Sequence, residues 1–91
     1  MVARQTLEEM AEARNAAFLA RYKVPNYDIL NCPAEAKEEM ADAWNYITAE
    51  MAKSREHPRY PRRVDELLSK ARRYVEEAWD FLEAYEEARD A

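Results

Sequence analysis

Glycine is absent from this sequence of 91 residues, where average usage would supply about six. Its absence removes phosphate-cradling G-x-x-x-x-G-K loops, dinucleotide-binding turns and nucleophile elbows, all of which need glycine's backbone freedom at fixed positions. Such a composition also fits an engineered sequence. Cysteine and histidine occur once each, as Cys32 and His57. A single cysteine excludes an intramolecular disulfide framework and suits a reducing compartment. With no second histidine, a thiol–imidazole nucleophile pair is not expected, and His57, in a proline-bounded loop, is expected at the surface. No apolar run approaches the roughly 18 residues of a membrane span. The start, MVARQTLEEM, has no stretch of the kind a secretory signal needs, so a cytoplasmic address without membrane association is expected.

What is present is apolar and charged: 48% and 36% of residues, a balance that belongs to folded globular chains rather than disordered ones. A chain of this length reads as one helical domain, residues 1–91, and buries only somewhat over ~60% of its unfolded surface. Self-association would enlarge that core, so a homodimer is expected.

Prolines cut the chain into three amphipathic blocks with no period-two pattern, which predicts an all-α three-helix bundle completed by dimerisation. Thr6 followed by Glu9 fits a capping box and starts a helix over about 7–22. Pro33 suits a first helical position, and Glu35 adds negative charge to that first turn, predicting a second helix over about 33–56 with a core stripe of Ala36, Met40, Ala43, Trp44, Ile47 and Met51. A third, over about 61–89, carries Val64, Leu67, Leu68, Ala71, Val75, Ala78, Leu82 and Tyr85 on one wide face. It is longer than the first helix can cover, so part of its face is expected to meet a second chain. Trp44 and Trp79 are expected in the core or at a subunit contact.

At 100° per residue, Glu35, Glu39 and Asp42 line one edge of the second helix beside Tyr46. On the first helix, Glu9 and Glu12 share a face with Ala13, Ala16 and Ala20, an alanine-rich side that lets another helix approach closely. The plain alternative is solvation, because carboxylates make up 19 of the 91 residues and helices place them on solvent by default.

The order EEMAE (Glu8, Glu9, Glu12), then 26 intervening residues, then EMAD (Glu39, Asp42) resembles the paired motif of the all-α nucleoside triphosphate pyrophosphohydrolases, the MazG-like superfamily. The resemblance covers about residues 7–51. It implies Mg²⁺-dependent cleavage of a nucleoside triphosphate to monophosphate and pyrophosphate. Glu9, Glu12, Glu39 and Asp42 would be the metal ligands, with Glu8 or Glu35 assisting catalysis. A hard cation of this kind takes oxygen ligands, removes the repulsion among gathered carboxylates and shares its shell with substrate phosphates.

Charge is divided along the C-terminal half. From Lys53 to Arg73 there are eight Lys/Arg against three acids, and from Glu76 to Asp90 seven acids against one arginine. This runs opposite to the helix macrodipole, so something other than helix propensity favours it. Arg59, Arg62 and Arg63 beside a helix start are candidates for holding substrate phosphate, as guanidinium groups and helix N-termini both favour anions. Solvated arginines paired with neighbouring acids are the plain alternative. The net charge of −5 argues against nucleic acid. An asymmetric charge pattern equally suits a protein partner, so the rival to the enzyme is a small non-enzymatic helical module, phage-like or engineered, that binds protein through its third helix.

Overall fold

The structure, a computed structural model, describes residues 4–23, 31–57, 59 and 61–91. The chain is all-α, with helices α1 (Leu7–Tyr22), α2 (Cys32–Arg55) and α3 (Arg62–Asp90) and no strand among the described residues. Among those residues no helix is long and apolar enough to cross a membrane. The chain divides into two compact units, Met1–Leu30 with α1 and Asn31–Ala91 with α2 and α3.

The limits of α1 follow from local chemistry. The Thr6 hydroxyl accepts from the Glu9 N–H at 3.0 Å, and the Glu9 carboxylate accepts from the Thr6 N–H at 3.3 Å, completing the capping box. At the other end Lys23 turns left-handed, φ 55°, and donates its N–H to the carbonyls of Ala20 and Leu19. A glycine normally takes that position; in a chain without one, a lysine bears the steric cost of its Cβ.

α2 begins one residue earlier than Pro33. Asn31 is the cap, its side-chain oxygen accepting from the Ala34 N–H at 3.3 Å, and Pro33 sits in the first turn where no N–H is needed. The predicted break before α2 falls largely on residues 24–30, which lie outside the described residues, as do Pro58 and Tyr60 of the break after it. α3 starts after Pro61 without any side-chain cap. Its 29 residues make it roughly 43 Å long.

α2 and α3 pack antiparallel. Side chains meet across them at Lys37–Glu83, Trp44–Glu76, Thr48–Arg72 and Arg55–Asp65. Successive pairs step by seven, four and seven residues down α2 and by the same intervals up α3, the spacing of two helices kept in register like a coiled coil. Inside this polar edge lie Met40, Ala43 and Ile47 of α2 with Val64, Leu68, Val75, Ala78 and Leu82 of α3, all half-buried. Met51, 2% exposed, is the one buried residue among those described.

The wide apolar face expected of α3 is therefore split. Leu67 and Ala71 stand outside the hairpin seam and are exposed, Tyr85 borders a depression with Cys32, Pro33 and Ala36 of α2 while keeping its outer side exposed, and Trp44 of α2 lies at the edge of its stripe, 37% exposed, rather than within it. Within the hairpin, α2 covers only one side of a stripe this broad.

Candidate functional site

The polar edge of the hairpin is built around the two tryptophans. The Trp44 indole N–H donates to Glu76 at 3.0 Å, and the Arg72 guanidinium lies 5.2 Å from the Trp44 ring centre while donating to the Thr48 hydroxyl at 3.2 Å. One step along, the Trp79 N–H donates to Glu83 at 2.8 Å, and the Lys37 ammonium lies 4.6 Å over the Trp79 ring. Lys37 also reaches Glu86 at 3.1 Å and Glu83 at 3.4 Å. The bond to Glu86 is the chief reason that Lys37 holds its proton more tightly than an ordinary lysine; partial burial opposes it and Glu83 adds to it. Between the indoles a cleft of about 330 Å³ has Met40 and Val75 on its walls and Glu76 and Asp80 beside it. Both indoles already face a cation, so this edge joins the two helices through cation–π contacts and indole N–H bonds.

The sequence-derived site residues sit as follows. On α1, Glu8, Glu9 and Glu12 are exposed, and Glu9 is engaged in capping its own helix. On α2, Glu35, Glu39 and Asp42 are exposed. Within α1, and within the α2–α3 hairpin, no three or more His, Cys, Asp or Glu gather closely enough to hold a metal ion among the described residues. Arg59 and Arg63 are exposed, and Arg62, exposed too, pairs with Glu66 at 3.1 Å one turn on. The register puts Arg55 level with Asp65, just inside Arg62 and Arg63, and puts Lys37 level with Glu83 at the other end. Asp42 is thus 13 residues from Arg55, roughly 20 Å along α2. Glu35, Glu39 and Asp42 therefore lie in the half of the hairpin away from Arg62 and Arg63.

A different surface is assembled on α3. Leu67, Ala71, Tyr74, Ala78, Phe81 and Tyr85 follow one another at steps of four, three, four, three and four, an a/d repeat beside the one used in the hairpin. Leu67 is 49%, Tyr74 68%, Phe81 75% and Tyr85 54% exposed. Single exposed apolar residues are ordinary, but a continuous stripe of four large ones along one helix marks an interaction surface. The lower end carries a local ion pair, Arg89 with Asp90 at 3.0 Å, which stabilises the charged form of both: Arg89 is raised and Asp90 lowered, each chiefly by their mutual hydrogen bond. Tyr74 and Phe81 are absent from the core reading of the sequence; the signal for them was the second four-three repeat, visible once the residues already assigned to the hairpin are removed.

Compared with protein-family models, curated proteins and solved structures, the chain matches none.

Proposed function

We propose that the chain is a non-enzymatic helical module that binds another protein chain along α3. The carrying observation is the exposed seam of Leu67, Tyr74, Phe81 and Tyr85, set on a helix whose charge changes sign at its middle. Aromatic side chains on a rigid helix supply large contact area at low conformational cost, and helix-in-groove recognition uses this a/d spacing. A benzophenone amino acid at position 81 of the full chain, irradiated in the source cell, is expected to give a discrete protein adduct. The same probe at Tyr46, also exposed but on α2, serves as the control. Equal, diffuse labelling from both positions refutes the reading.

A second reading is the Mg²⁺-dependent nucleoside triphosphate pyrophosphohydrolase. In its favour, Glu35, Glu39 and Asp42 share one exposed edge of α2 and have no ion pair among the described residues, leaving their oxygens available to a hard cation. In that reading Glu39 and Asp42, with Glu9 and Glu12, ligate Mg²⁺, and Glu8 or Glu35 assists. Pyrophosphate release from a panel of nucleoside triphosphates with Mg²⁺, abolished in Glu39→Gln while the helical spectrum is kept, supports it. Absence of release across the panel refutes it.

A further inference from the structure

The α3 seam has a pattern that selects its own occupant. Large and small residues alternate along it, Leu67, Ala71, Tyr74, Ala78, Phe81. The helix is basic in its first half, through Arg62, Arg63, Lys70, Arg72 and Arg73, and acidic from Glu76 onward. Laid on an identical helix running the same way, like charge meets like along the whole length. Laid antiparallel, each basic half meets an acidic half, and the pairing is self-complementary as a two-fold axis requires.

We propose that α3 docks antiparallel on α3 of a second copy of this chain, so that two α2–α3 hairpins share one core. The proposal rests on the reading of α3 as a protein-binding surface and names what binds there. One register satisfies both size and charge. It sets Tyr74 against Ala71 of the second copy and Leu67 against its Ala78, a large side chain opposite a small one at each of the central layers, with Phe81 opposite Val64 at either end of the overlap. The same register brings Lys70 beside Glu77 of the second copy, twice by symmetry. Lys70 has no acidic partner among the described residues, and Glu77 has only an exposed contact at 3.4 Å to Arg73 of its own helix. The part of the seam that this register pairs, Leu67 to Phe81, is roughly 21 Å long, and Met51 is the one buried residue among those described. Closing the seam supplies the apolar burial that the hairpin lacks.

The test is sedimentation equilibrium of the full chain at micromolar concentration, with circular dichroism as the check on folding. Expected are twice the 10.7 kDa chain mass for the native sequence and loss of the dimer in Phe81→Glu. Lys70→Glu alone and Glu77→Lys alone should each weaken association about tenfold, and the double exchange should restore it, because the pair is reconstituted with its charges swapped. If Phe81→Glu unfolds, the charge exchange decides, since it changes only exposed residues. A monomer at all soluble concentrations, a dimer indifferent to Phe81→Glu, or an exchange that fails to restore overturns the proposal. A monomeric chain that still forms a discrete adduct with another protein through position 81 removes this proposal alone. Failure of the adduct removes the wider reading too.

Discussion

Lys23 shows at the residue scale what the lack of glycine costs. Its left-handed backbone closes α1 with two hydrogen bonds, and a Cβ is disfavoured there. Lys23→Gly is expected to stabilise the chain by roughly 0.5–1 kcal/mol in urea unfolding, a gain reduced somewhat by the freer unfolded chain. Met51 sets the opposite extreme. As the one buried residue described, it is expected to cost roughly 2–4 kcal/mol when changed to alanine, which in a domain of this size lowers the melting temperature by more than about 8 °C. Lys37 gives a pH signature. Its ammonium is favoured in the folded state, chiefly by Glu86, so its folded pKa lies above the ordinary lysine value of 10.5. The stabilisation is complete below that value and is lost as pH rises through the folded one. Native protein and Lys37→Met should therefore differ in melting temperature at neutral pH and converge in strong alkali.

At the scale of elements, α3 is the least well started helix. It has no side-chain cap, and Arg62 and Arg63 face the positive end of its dipole. Pro61→Asp supplies both a cap and a negative charge, and is expected to raise stability by about 1 kcal/mol in thermal unfolding. The start of α1 was legible because Thr6 and Glu9 state a capping box outright. α2 was displaced by one residue because Pro33 reads as a first helical position, whereas Asn31 competes for the cap and places the proline in the second. The division of α3 was not legible. Eight apolar residues over one wide arc read as a single core face, and only the pairing with α2 assigns Val64, Leu68, Val75 and Leu82 to the hairpin, leaves Leu67 to the outer seam and sets Tyr85 at the border of the two. Arg62, Arg63 and the α2 carboxylates were each placeable on a helix, but their relative position depends on the antiparallel register, a long-range property that no local spacing contains.

For the whole molecule, composition forecast the outcome that matters most: a chain of this size, all helix, with more apolar helix surface than one hairpin covers. The charge reversal along α3, costly against its own dipole, gains a reason once the helix faces an antiparallel copy of itself. The central claim is that the seam around Phe81 is occupied when the protein works. A fluorine label on the ring at position 81 tests it most directly, because the ¹⁹F shift responds to solvent and aromatic neighbours. The account predicts two resonances whose ratio moves toward the shielded one as protein concentration rises. A single resonance at the solvent-exposed position, unchanged on dilution, contradicts it.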